Sequence, residues 1–140
     1  MALNLPAWCE SWIGLPYLKD GRQRSGLDCW GYFALLQRER HGFDIAEYDG
    51  PSWSKDADVN AIAEAARAFA QRFAEVEPGE ESEGDGVLFN MMGAPMHIGY
   101  VVRKGLMLHI EEACDSCAER YTDRAWAKRI AGFYRAKPGA

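Results

Sequence analysis

The sequence predicts an α+β domain, and two observations carry that prediction. Helix signals fill the first half of the chain, and short apolar segments separated by turn residues fill most of the second. The size agrees: 140 residues suit one domain spanning 1–140, and 48% hydrophobic with 26% charged residues is the make-up of a chain that buries a core.

Taken in order, Asn4 is placed to cap a first short helix whose apolar stripe is Leu5, Trp8, Cys9 and Trp12, ended by Gly14 and Pro16. A loop, LPYLKDGRQRSG, leads to Asp28, an N-cap for a second helix that presents Trp30, Phe33, Ala34 and Gln37 on one face. That helix stops at His41 and Gly42. After an irregular connection, Val59, Ile62, Ala63, Ala66, Phe69, Ala70 and Phe73 recur at helical spacing and predict a third helix, capped by Asp56 or Asp58. EPGEESEGDG reads as a solvated acidic loop. VLFN, MHIGYVVR and LMLHIEEA then read as antiparallel strands divided by GAP and KG, and the tail as a short helical piece followed by a last strand near Ile130 to Arg135.

Several function classes are disfavoured by these numbers. A formal net charge of −5 with scattered basic residues repels a polyanion, so no nucleic-acid partner is expected. No stretch reaches the roughly 18 apolar residues of a membrane span, and the N-terminus has no basic segment followed by a long apolar one. The chain therefore reads as soluble and made in the cytoplasm. Its four cysteines, Cys9, Cys29, Cys114 and Cys117, are too few for a disulfide scaffold and are expected to be reduced.

Among them, Cys29 in GLDCWG opens the second helix, where the dipole and unpaired N–H groups favour a thiolate. A thiol nucleophile needs a base and a group that orients the base. His41 lies twelve residues on, about 18 Å away at 1.5 Å per residue, and is excluded. His97 and His109 sit in adjacent predicted strands. A three-residue RKG loop (103–105) puts both on one face with Cα atoms roughly 7–8 Å apart, whereas a two-residue loop puts them on opposite faces. Ile98, Tyr100, Val102, Leu106, Leu108 and Ile110 then form the core side, which leaves the histidine side to meet the Cys29 helix. Alone, each of these residues has a plainer reading: a buried small hydrophobe for Cys29, a strand surface residue for either histidine.

These pieces resemble the NlpC family of papain-like cell-wall cysteine peptidases. IGLPYLKDG is similar to its substrate-side loop, GLDCWG to its nucleophile motif, GDGVLF to the strand after an acidic turn, HIGYVV to the base strand and LHI to the third-residue strand. The compact chain closing in GFYR resembles the branch found in phage tails and phage-like particles. The resemblance implies Cys29 as nucleophile, His97 as base and His109 as orienter. It implies Tyr17, Asp28 and Trp30 as oxyanion or substrate contacts: Tyr17 beside the oxyanion, Asp28 meeting a stem-peptide amine, Trp30 beside the cleft. The implied reaction is hydrolysis of a peptidoglycan stem peptide, typically between D-glutamate and diaminopimelate, through a thioester. Phage-like tail proteins are the implied partners, and no cofactor or metal is implied. Leu18, Lys19, Asp20 and Gly21 depart from the tryptophan and paired glycines that many members carry after the loop tyrosine, and Trp30 replaces their serine.

Three rivals stand beside this reading. Cys114 and Cys117 make a C-x-x-C pair that His109 or Cys9 can extend toward a zinc set, although an isolated pair is a weak signal. The fold can also serve as a structural component of a tail without chemistry, or as a thiol acyltransferase or amidase. Arg22 and Arg24 read as solvated loop charges.

Overall fold

Six antiparallel strands with one long helix across one face make the framework. A computed structural model describes it over residues 3–45, 72–91 and 94–137, the side chains of 94–96 excepted. The chain opens with a 3-10 helix at Ala7–Trp12, makes a small ribbon of β1 (Arg22–Gln23) and β2 (Gly26–Leu27), and enters α1 (Cys29–His41). The large sheet follows, with β3 (Phe73–Val76), β4 (Gly86–Met91), β5 (Ala94–Arg103), β6 (Leu106–Glu111) and β7 (Cys114–Arg120). A short α2 (Arg124–Ala127) precedes β8 (Ile130–Ala136). The strand order is β3-β8-β4-β5-β6-β7, with every pairing inside that sheet antiparallel, so the α+β class holds.

The bounds of α1 are those its caps dictate. The Gly31 N–H donates to Asp28 Oδ1 at 2.7 Å, and Gly42 leaves the helix at φ 70 with its N–H on the Arg38 carbonyl. Trp30, Phe33, Ala34 and Gln37 are buried as the pattern predicts. Four other local expectations need correction. Asn4 does not cap the first helix: it sits at φ 50, and Pro6, whose ring fixes φ near −55, starts a 3-10 turn instead. The helix expected over 56–73 lies outside the described residues except for Phe73, which belongs to β3. Its ring packs on Trp30 and Phe33 while its backbone pairs with Ala136, so sheet pairing overrides the helical spacing there. The acidic loop is not simply solvated. Tyr121 donates to Glu81 Oε2 at 2.7 Å, and Arg135 holds Asp85 at 2.8 and 2.9 Å, pairing that lets two carboxylates be buried. The stretch 114–120, for which no strand was expected, is strand β7, paired with β6, while the short helical piece and last strand expected in the tail are α2 and β8.

The β5–β6 hairpin reaches the expected outcome by an unexpected route. Its turn is the two-residue Lys104-Gly105, with Arg103 opposite Leu106, a spacing that alone would send the histidines to opposite faces. A bulge at Val102 adds the missing residue, so Val101 faces Met107 and Tyr100 faces Leu108, as an odd loop would have set them.

The sheet then divides two cores. Ile98, Tyr100, Leu106, Leu108 and Ile110 meet α1 on one side; Val87, Phe89, Val101, Met107, Tyr121, Trp126 and Phe133 cluster on the other. This corrects the expectation that α1 covers the histidine side: the helix packs on the Ile98 side, because its Trp30, Phe33 and Leu36 need the larger apolar surface.

Candidate active site

Cys29 is the first residue of α1 and is 2% exposed. Its sulfur accepts hydrogen bonds from the backbone N–H groups of Trp30 and Ile98, the latter one residue beyond His97. Since β5 runs on past its last partner in β6 (Tyr100 with Leu108), an in-plane N–H is available there. The thiol thus meets the strand edge-on, although its helix covers the opposite face from the imidazoles. Burial pushes the Cys29 thiol up to about 12, with Asp28 adding to it, while the two N–H groups and Arg22 pull the other way. The helix N-terminus is therefore outweighed by desolvation, and the resting sulfur carries its proton.

His97 follows a second bulge in β5, where the partners step from Phe89–His97 to Asn90–Pro95. Bulges re-aim side chains next to sites. The ring lies against Phe89 and is stacked on Trp126, with centroids 5.3 Å apart. Its Nε2 is 2.8 Å from His109 Nδ1, and His109 Nε2 is 2.9 Å from Glu119 Oε1. Trp126 Nε1 donates to Glu119 Oε2 at 2.9 Å, which fixes the carboxylate. Hydrogen bonds from His109 and Trp126 hold Glu119 down at about 2, so it is ionised and accepts only.

That charge orders every proton in the row. Glu119 requires a hydrogen on His109 Nε2, and in the tautomer that puts the ring's one proton there, Nδ1 offers a lone pair. His97 must donate there from Nε2, which leaves His97 Nδ1 bare. Burial, reinforced by His109 and opposed by Glu119, pushes His97 well below its ordinary 6.5. His97 is thus neutral at rest, and the Cys29 thiol, which accepts from the N–H of the next residue along β5, keeps its proton.

The remaining expected residues divide. Tyr17 bridges to Leu27 beside the nucleophile motif, and burial with the neighbouring Cys29 and Asp28 raises its phenol to about 12, so it keeps a proton to donate. Asp28 is wholly buried: besides Gly31 it accepts from Arg22 at 2.8 Å and from the Asp20 N–H at 3.2 Å, which makes it a cap and ion-pair partner and not an accessible amine contact. Trp30 is 1% exposed, its ring against Phe33 and Phe73, so it belongs to the core and not to a cleft wall. Arg22 is tied to Asp28, and Arg24 lies over the Trp12 ring at 4.3 Å, so neither is a merely solvated charge. His41 caps the far end of α1, where its Nε2 is 2.8 Å from the Tyr100 hydroxyl. A cavity of about 390 Å³ there, lined by Gln37, His41, Phe43, Glu83 and Arg135, is remote from the sulfur.

Glu119 and Trp126 were not among the residues the sequence singled out. Their signal is the alternation in CDSCAER: Cys117 faces His109 across the ladder and Glu119, two residues on, shares that side. The C-x-x-C stretch spans an irregularity in the ladder, which sets His109 opposite Cys117 and Glu111 opposite Cys114, and both thiols are free. Cys117 Sγ stands 3.6 Å from both His109 Nε2 and Glu119 Oε1.

A model of the NlpC/P60 family matches residues 14–135. An NlpC/P60 family protein from Bacillus cereus superposes with a TM-score of 0.67 at 20% identity, over 97% of this chain and 42% of that one. A protein described as similar to lipoprotein, NLP/P60 family, from Staphylococcus aureus gives 0.62 at 16%, over 89% and 37%. The NlpC/p60 domain of the peptidoglycan hydrolase SagA gives 0.60 at 17%, over 94% of both chains. The chain thus spans well under half of two of these structures and nearly all of the third. A comparison with curated protein sequences finds no match.

Proposed function

The chain belongs to the NlpC/P60 family, and on that premise we propose that it is a cysteine endopeptidase of the bacterial cell wall, acting on the stem peptide of peptidoglycan. The observation that carries this reading is the row Glu119–His109–His97, joined at 2.9 and 2.8 Å, with His97 in a strand whose next residue, Ile98, binds the Cys29 sulfur through its N–H.

Cys29 Sγ attacks the amide carbonyl as its proton passes to His97 Nδ1. His109 and Glu119 steady the imidazolium so formed. The oxyanion is met by the Cys29 backbone N–H and the Tyr17 hydroxyl. His97 then returns the proton to the leaving amine, the C–N bond breaks and a thioester remains. Water, deprotonated by His97, attacks that thioester and regenerates the thiol with release of the acid. Because the resting pair is neutral, the proton moves during attack and not before it.

We further propose that the bond cut lies between D-glutamate and diaminopimelate, and that the protein acts as part of a phage or phage-like tail that carries it to the wall. GLDCWG and the closing GFYR support that assignment by their similarity to the tail branch. The test is mass spectrometry of products from a defined muropeptide with the wild type and two variants. Cys29→Ala abolishes cleavage, and His97→Ala lowers the rate by roughly 10²–10⁴, the usual contribution of a general base. Unaltered cleavage by Cys29→Ala would refute the reading. Transfer of the acyl group without net hydrolysis would make the protein an acyltransferase instead.

A further inference from the structure

Behind the histidine row, β6 and β7 gather three donor atoms of the kind that bind borderline-soft metals: His109 Nε2, Cys117 Sγ and Glu119 Oε1, all within 4.8 Å of one another. Their spacing bears on what they can hold. Around a tetrahedral zinc, with Zn–S about 2.3 Å and Zn–N and Zn–O about 2.0–2.1 Å, neighbouring sulfur and nitrogen or oxygen atoms stand about 3.5–3.6 Å apart, and nitrogen and oxygen about 3.3 Å. Both sulfur separations here are 3.6 Å, while the nitrogen–oxygen separation is 2.9 Å. Two of the three edges of the coordination triangle already have metal-site lengths. The third opens by about 0.4 Å when coordination replaces the hydrogen bond.

The surroundings favour the same occupant. His109 is fully buried, whereas the Glu119 side chain is 41% exposed, so an ion has an entrance from solvent and room for a water as fourth ligand. Outer partners are in place, with Trp126 Nε1 on the second Glu119 oxygen and His97 on the other His109 nitrogen.

We propose that His109, Cys117 and Glu119 form a site for a zinc-class divalent cation, and that filling it switches off His97 as a base. The metal takes the His109 Nε2 lone pair, so the proton of that ring moves to Nδ1. His97 Nε2 must then accept instead of donate, and the His97 proton relocates to Nδ1, toward Cys29. One proton, from Cys117 Sγ, is released to solvent, and the two imidazoles keep their number of protons. The metal and the bare Nδ1 exclude each other. The inhibitory half of this inference rests on the peptidase reading above; the binding half does not.

Cobalt(II) titration of the purified full chain, with zinc competition, tests binding. One equivalent is expected to give a sulfur-to-cobalt charge-transfer band that zinc abolishes, retained in Cys114→Ser and lost in Cys117→Ser. Imidazole nitrogen-15 spectra test the switch without any substrate: His97 Nδ1 is expected to change from bare to protonated on adding zinc. Muropeptide hydrolysis by the wild type is expected to fall at least roughly tenfold at saturating zinc, in line with the effect of disturbing such a site, and to return on chelation. Cys117→Ser should resist zinc, its rate with zinc staying close to its own rate without it. No band in the wild type, or a band that persists in Cys117→Ser, overturns the site. A site that fills without changing the His97 tautomer, or zinc inhibition undiminished in Cys117→Ser, overturns the switch. Binding and tautomer change in a chain that hydrolyses no muropeptide would refute the peptidase reading and leave the metal site standing.

Discussion

At Glu119 one carboxylate decides which nitrogen carries the proton in two successive imidazoles, so its chemistry and not its bulk should matter. A charge-assisted hydrogen bond is worth about 1.5–3 kcal/mol, and at a side chain this exposed the lower end applies. Glu119→Gln is therefore expected to lower kcat by about tenfold with KM little changed, and Glu119→Asp to recover part of the loss. Steady-state kinetics on a muropeptide reads both; a KM effect alone would place Glu119 in substrate binding. Cys29 makes a second residue-scale prediction. With its thiol raised from 9 to about 12 by burial, iodoacetamide labelling mapped by mass spectrometry should be slow at neutrality and still accelerating above pH 9. Fast labelling near pH 7 would mean that the helix terminus wins over desolvation. The pairing of His97 with His109 on one face, 2.8 Å apart, was legible from their types and spacing. The environment that reverses the expected thiol shift was not, since burial comes from distant residues folding over the sulfur.

Among the elements, α1 was legible to the residue, because its caps are local: Asp28 at one end, Gly42 at the other. The motif that opens it carries a further constraint. A Cβ on Gly31 would stand 2.0 Å from the Gly21 carbonyl oxygen, and one on Gly21 would stand 2.1 Å from that of Gly26. The loop before the helix is thus pressed onto its first turn, and GLDCWG needs its last glycine for lack of space. Gly31→Ala is expected to lower stability by about 3 kcal/mol, in the range of overpacked interiors, whereas Gly42→Ala, with open space around it but φ 70, should cost about 1 kcal/mol. Denaturant midpoints check the pair, and equal losses would contradict the steric account. β7 escaped notice for the opposite reason. Its residues are mostly polar, and it is a strand because β6 offers an edge, which no local propensity reports.

For the molecule as a whole, the same row makes the fold sensitive to acid. His97 titrates near 6.5 when unfolded and well below that when folded, so its contribution is complete above 6.5 and shrinks as pH drops. Glu119 moves from 4.5 to about 2 on folding, and its contribution is lost as pH falls through that window. Both depressions act in one direction. Chemical denaturation of the wild type should show a midpoint that declines below pH 6.5 and declines further below 4.5. Glu119→Gln should flatten the second decline only; an unchanged slope between pH 4.5 and 2 in that variant would exclude Glu119 as its source. The overall class was legible because helix signals precede strand signals, but the assignment of faces was not: both sides of β5 and β6 are apolar enough to be a core, and only the partner layers distinguish them.

The two-residue turn at Lys104-Gly105 and the extra residue at Val102 are halves of one arithmetic. What the hairpin conserves is parity: an odd number of residues between the matched positions, however it is divided between corner and ladder. A one-residue insertion at the corner should therefore be harmless when Val102 is deleted and ruinous when it is kept, so that in this chain two neighbouring length changes, each damaging alone, cancel together.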